Sequence, residues 1–161
     1  MALLCVAAMS ASAKSASQTV EVIARIEPEL SLSIEPETGS RIDFGTIYSS
    51  SAETRRSEPV QVTVRVGSNL GRSYQVTQQL RDPLMNDDGA ALPPGRLLAG
   101  LEADAGGSLP MAAVKDDPDV LITSDPSGSP AAWSVAYQLL VPPDQPAGTY
   151  RGTVLMSVTA Q

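Results

Sequence analysis

Two acidic clusters hold the residues best suited to chemistry. Asn86, Asp87 and Asp88, with Asp82 just upstream, carry oxygen ligands of the kind a hard cation such as calcium takes, and Asp116, Asp117 and Asp119 offer a second set. Neither spacing is that of an EF-hand loop. Asn86-Asp87-Asp88-Gly89 is in the first place a turn sequence, because Asn, Asp and Gly tolerate positive φ. Paired carboxylates also serve glycosidases, but the spacing places no two of them in one cleft. The aromatics, Phe44, Trp133 and four tyrosines, give a sugar little to stack on.

Other chemistry is excluded by composition. The chain has no histidine, so Ser-His-Asp and Cys-His arrangements and the usual transition-metal sites are absent. Its one cysteine, Cys5, lies in the N-terminal apolar stretch. No Gly-rich phosphate loop occurs. The expectation is a protein that is not an enzyme, with no catalytic residue, no metal ligand and no cofactor.

With 18 acidic against 11 basic residues the formal charge is −7, which argues against nucleic acid as a partner. Residues 1–16 read as a secretion signal lacking its basic start. Ala2 to Met9 form the apolar region and Ala11-Ser12-Ala13 a cleavage site. The segment is too short to span a membrane, and Leu4 before Cys5 is not the small residue a lipid anchor needs. The expected location is therefore outside the cytoplasm: periplasm, cell surface or medium. Residues 17–161 are expected to form one domain, large enough to bury a core without disulfides.

The elements that would position any site are strands. Val20, Val22, Ala24 and Ile26 alternate with polar residues along Gln18–Ile26, with Ile23 the exception. Leu30, Leu32 and Ile34 continue the alternation after Pro28. Glu58–Val66 and Arg72–Leu80 follow, and Trp133–Val141 alternates as Trp133, Val135, Tyr137, Leu139 and Val141. That periodicity makes Trp133 and the tyrosines core residues rather than an adhesive patch. A Pro/Gly turn leads into a closing strand with Tyr150, Gly152, Val154, Met156 and Val158 on one face. The stretch 81–130 is rich in loops; Leu97, Leu98 and Leu101 fit a short strand or a single helical turn, and Met111–Val114 and Val120–Thr123 are short strand candidates. Seven to nine short strands, turn signals about every ten residues and no convincing helix predict an all-β antiparallel sandwich of immunoglobulin type, with a closed barrel as the alternative.

Two motifs resemble known bacterial surface proteins. Ile42-Asp43-Phe44-Gly45-Thr46 resembles an element early in spore coat U and archaic chaperone–usher pilin domains, and in WxL-type wall domains. Pro146-Ala147-Gly148-Thr149-Tyr150-Arg151-Gly152-Thr153-Val154 resembles the closing strand of the pilin-like families. The chain departs from the pilin pattern in lacking a cysteine pair, and from WxL domains in that Trp133 is followed by Ser134-Val135. The resemblance implies an exported immunoglobulin-like sandwich of the cell surface, structural or adhesive, of fimbrial or pilus type. It further implies self-association or assembly with related subunits by strand exchange, and a periplasmic chaperone as a further partner. Gln18–Ile26 is then either a strand donated to a neighbour or the first strand of its own sandwich. The other reading of the chain is a monomeric periplasmic or secreted module that binds carbohydrate or calcium.

Overall fold

The computed structural model describes residues 18–36, 41–102 and 110–161. The proposed leader lies outside them. Among the described residues nine antiparallel strands form two sheets: β1 (Leu30–Pro36), β2 (Arg55–Arg56), β3 (Val60–Ser68), β4 (Tyr74–Met85), β5 (Leu97–Leu101), β6 (Ala112–Ala113), β7 (Asp119–Thr123), β8 (Ala131–Val141) and β9 (Arg151–Ala160). The larger sheet has the order β1-β3-β8-β5-β6, with β2 also paired to β8, and the smaller has the order β7-β4-β9.

This is the strand order of an immunoglobulin-type sandwich. Strands β1-β3-β8-β5 occupy the places of A-B-E-D, and β4-β9 those of C-F. Strand β7 lies on the outer side of β4. No strand among the described residues lies on the far edge of β9, where the seventh strand, G, of such a sandwich pairs.

Alternation decides which residues enter the core. Val62, Val64 and Val66 of β3 and, beside them in the same sheet, Val135, Tyr137 and Leu139 of β8 face Tyr74 and Val76 of β4 in the other sheet, all buried. β-Branched residues suit this half-buried pleated surface because their stiff χ1 loses little on packing. One polar pair crosses the core: the Tyr137 hydroxyl on β8 donates to Gln78 Oε1 on β4 at 2.9 Å, tying the two sheets together. Burial raises the Tyr137 pKa well above the ordinary tyrosine range, because the phenolate would lose its hydration. Tyr74 meets Trp133 edge to face, with centroids 6.2 Å apart. Trp133 and the core tyrosines are thus packing residues, as their alternation predicts.

Several expected boundaries move. Strand β4 runs on through Asp82-Pro83 to Met85, carried past the proline by register shifts against β9. The polar, Ser-rich stretch 48–57 contains β2, which lines the same edge of β8 as β3 does. Pro59, lacking an N–H, stands at the break between β2 and β3. Ser57 bridges that break: its N–H donates to Leu139 O and its hydroxyl accepts from the Leu139 N–H, both at 2.9 Å. Strands β5, β6 and β7 fall within the loop-rich 81–130 stretch at the three expected places.

The largest departure is at the N-terminal end. Residues 18–29 form no strand, and Val20, Val22 and Ile26 are 81, 87 and 84% exposed. The expectation that Gln18–Ile26 is the first strand of its own sandwich is not met. Its alternation is real, but nothing among the described residues covers either face.

Candidate functional site

The acidic residues do not converge. Among the described residues no group of three or more metal-ligating side chains comes together. Asp87 instead pairs with Arg151 at 3.2 Å, and Asp119 with Lys115 at 2.9 Å, all well exposed. The Asn86–Gly89 segment is the turn its composition describes: the Gly89 N–H donates to Asn86 O at 3.0 Å, with Gly89 at φ 83°. Buried Asn86 also accepts from the Ala90 N–H at 2.7 Å and donates from Nδ2 to Ala147 O at 3.3 Å. Asn86 thereby ties this turn to the Pro146–Gly148 turn that leads into β9.

Tyr150 completes that lead-in. Its hydroxyl donates to Pro146 O at 2.8 Å, four residues upstream, and accepts from Gln145 Nε2 at 2.8 Å. A tyrosine at the start of a strand that bonds back to the preceding turn is the tyrosine corner found at strand F of immunoglobulin-type sandwiches. It identifies β9 as that strand on grounds separate from the sheet order. Sequence reasoning took Tyr150 for a core residue only; it does pack against the core cluster, and the Pro-Ala-Gly-Thr-Tyr spacing was the missed signal.

Two strand edges stand open: among the described residues, β1 pairs only with β3, and β9 only with β4. Register puts Leu32 and Ile34 beside buried Val66 and Val64, and puts Val154, Met156 and Val158 beside Leu80, Gln78 and Val76. These five side chains therefore face the core, yet none is fully buried, and Ile34 is 43% exposed. Leu32, Val154, Met156 and Val158 pack against the core cluster and stay partly exposed. Residues of β1 and β9 come within 8 Å of each other at Cα, so the two open edges adjoin. Gly152 lies further along β9, where an added Cβ would crowd the Asp82 carbonyl oxygen at 2.8 Å.

The chain matches no protein-family model, and no curated protein matches it.

Of the residues singled out in the sequence, the structure places Val154, Met156 and Val158 on the core-facing side of the open-edged β9, with Gly152 near its start and Tyr150 in the turn before it. It leaves Val20, Val22, Ala24 and Ile26 on an uncovered arm. The alternation of Leu30, Leu32 and Ile34 marks the apolar face of β1 but not which edge lacks a neighbour, because alternation carries no information on strand order. A concavity of about 360 Å³ lies beside β2, lined by Phe44, Ile47, Tyr48, Arg55 and Arg56 among others. Tyr48 is 83% exposed there, and Arg56 Nη1 donates to Gln138 Oε1 at 3.2 Å.

Proposed function

We propose that this protein is a non-enzymatic structural or adhesive subunit of the bacterial surface, assembled by strand donation. The arm Gln18–Ile26 of one copy fills the groove between β1 and β9 of the next. One observation carries the reading: two adjoining open strand edges with partly exposed apolar side chains occur in the same molecule as an uncovered alternating arm of matching character. Val20, Val22, Ala24 and Ile26 would lie over Val154, Met156, Val158 and Ile34, exchanging water for apolar contact at both partners. Main-chain hydrogen bonds to the open edge would supply the rest.

The geometry favours one edge for that pairing. A strand hydrogen-bonded on both sides needs about 9.6 Å between its neighbours, twice the usual interstrand spacing. The edges approach more closely than that, within 8 Å. The arm can therefore pair along β9, the longer strand at ten residues against seven, while it covers β1 by side-chain contact. Strand β1 also ends on Pro36, which has no N–H to donate.

Export, the leader at residues 1–16 and a chaperone that shields the groove before assembly belong to the same reading. An isolated apolar edge of this kind otherwise invites unspecific pairing. Deletion of residues 17–26 tests it. The truncated chain should stay folded and monomeric, and should take up a synthetic Gln18–Ile26 peptide. A truncated chain that unfolds, or that assembles as the full chain does, refutes strand donation.

A second reading, a saccharide-binding module, rests on the concavity beside β2, where exposed Tyr48 stands next to two guanidinium groups. Loss of glycan binding on Tyr48→Ala, with assembly unaffected, would support it; absence of any glycan binding by the unaltered protein would end it.

A further inference from the structure

The arm leaves the sandwich at a fixed point. Asn69, in the turn between β3 and β4, makes three hydrogen bonds there: Oδ1 accepts from the Glu29 N–H at 2.7 Å, its own N–H donates to Glu29 O at 3.2 Å, and Nδ2 donates to Glu27 O at 2.9 Å. Pro28 sits between the two clamped residues. Upstream of Glu27 the apolar side chains of the arm are exposed.

The pattern of these bonds fixes a direction. In an extended chain, backbone groups of residues i and i+2 point to the same side. Glu27 and Glu29 are both held from the side of β3, which keeps residues 27–29 extended as a continuation of β1. The alternative for the arm is to fold back on itself. A loop of three residues, Glu27-Pro28-Glu29, is long enough to make a hairpin with β1, and the arm would then lie on the open edge of β1, in the groove of its own molecule. That reversal would turn the Glu27 carbonyl away from Asn69.

We infer that Asn69 is a positioning residue that holds the arm out for exchange between copies and against closure into its own groove. The inference rests on the strand-donation reading and goes beyond it, since donation alone does not say what prevents each subunit from satisfying itself. A self-closed subunit has no free groove and no free arm. The clamp thus acts on the ratio of closed monomer to assembled chain.

Arg25, in the exposed arm, gives the experiment its probe, because trypsin cuts after it when the arm is free. The full chain and its Asn69→Ala variant are refolded by dilution over a range of concentrations, sized by light scattering, and treated briefly with trypsin. Wild-type monomer should be cut at Arg25 and wild-type assemblies protected. In Asn69→Ala a monomer protected at Arg25 should appear, and the closed-to-assembled ratio should rise about tenfold, the scale expected for the loss of one or two hydrogen bonds. Asn69→Asp keeps the acceptor for the Glu29 N–H and should restore part of the exchange, which a general loss of stability would not explain. If Asn69→Ala assembles like wild type and its monomer is cut equally fast, the positioning role is refuted while strand donation stands. If the wild-type chain remains monomeric at every concentration, strand donation itself fails.

Discussion

The Tyr150 hydroxyl donates to the carbonyl oxygen of Pro146 at 2.8 Å, closing a five-residue turn against the start of β9. The same hydroxyl accepts from Gln145 Nε2, and Gln145 in turn donates to Ala91 O at 3.2 Å. One phenol therefore anchors β9 to the turn before it and to the loop after β4. Tyr150→Phe keeps the ring packing and removes these bonds. It is expected to lower stability by about 1–2 kcal/mol, a hydrogen bond lost with its partner left behind. Equilibrium denaturation in urea measures this as a lower midpoint at unchanged slope.

The buried Tyr137 predicts a particular sensitivity to alkali. Its folded pKa lies above the value near 10 that the unfolded chain would show, because burial opposes the phenolate. A raised folded pKa means the native state holds its proton longer than the unfolded state. The contribution of Tyr137 is thus fully present below about pH 10 and is lost as pH rises beyond that, by up to about 1.4 kcal/mol per pH unit. Tyr74, raised first by burial and then by the nearby Asp125 charge, acts in the same direction. Tyr137→Phe should shift alkaline unfolding to higher pH. At neutral pH it should cost about 1–3 kcal/mol, because Gln78 Oε1 loses its donor in the core. Thermal melts from pH 7 to pH 11 separate the two effects.

Gly128 marks a close backbone approach. It has φ 63°, and a Cβ there would fall on the carbonyl oxygen of Arg72. The surrounding turn is held by Asp125, whose carboxylate accepts from the Ser127 hydroxyl at 2.6 Å and from the Ser129 N–H at 3.3 Å. These bonds, that from Ser127 foremost, hold the Asp125 pKa below its ordinary value. Gly128→Ala combines an unfavourable φ with a backbone clash and should destabilise by about 2–4 kcal/mol. Calorimetry should show it as a drop of several degrees in Tm.

Arm and body should respond independently to substitution. Val22→Asp or Ile26→Asp changes a side chain more than four-fifths exposed, so the melting temperature of the monomer should move by less than about 0.5 kcal/mol equivalent. The same changes put a charge into the apolar groove of a neighbour and should abolish assembly, read by light scattering or electron microscopy. Met156→Asp on the groove wall should abolish assembly from the other side. Mixing a defective-arm chain with a defective-groove chain should then yield capped dimers, each partner supplying what the other lacks.

Much of the body was legible in the alternation of its strands. The runs at Val62-Val64-Val66 and Val135-Tyr137-Leu139 each declare a period of two and a single buried face, because side chains on a pleated strand point alternately to opposite sides. The Pro-Ala-Gly turn and the Asn-Asp-Asp-Gly turn were equally readable, since few residues tolerate positive φ. The absence of histidine also excluded Ser-His-Asp and Cys-His arrangements by composition alone.

Tertiary structure decided what a period cannot encode. Alternation reads the same in Gln18–Ile26, which no strand covers, and in β3, which has a neighbour on both edges. Hydrogen-bonded neighbours come from distant parts of the chain, so whether an edge is paired depends on the order of strands in the sheet. Only the arrangement β1-β3-β8-β5 over β7-β4-β9 shows that β9 is an edge strand among the described residues, that Ile34 and Met156 lie on adjoining open-edged strands, and that Asn69 grips Glu27 and Glu29 from across a turn some forty residues away.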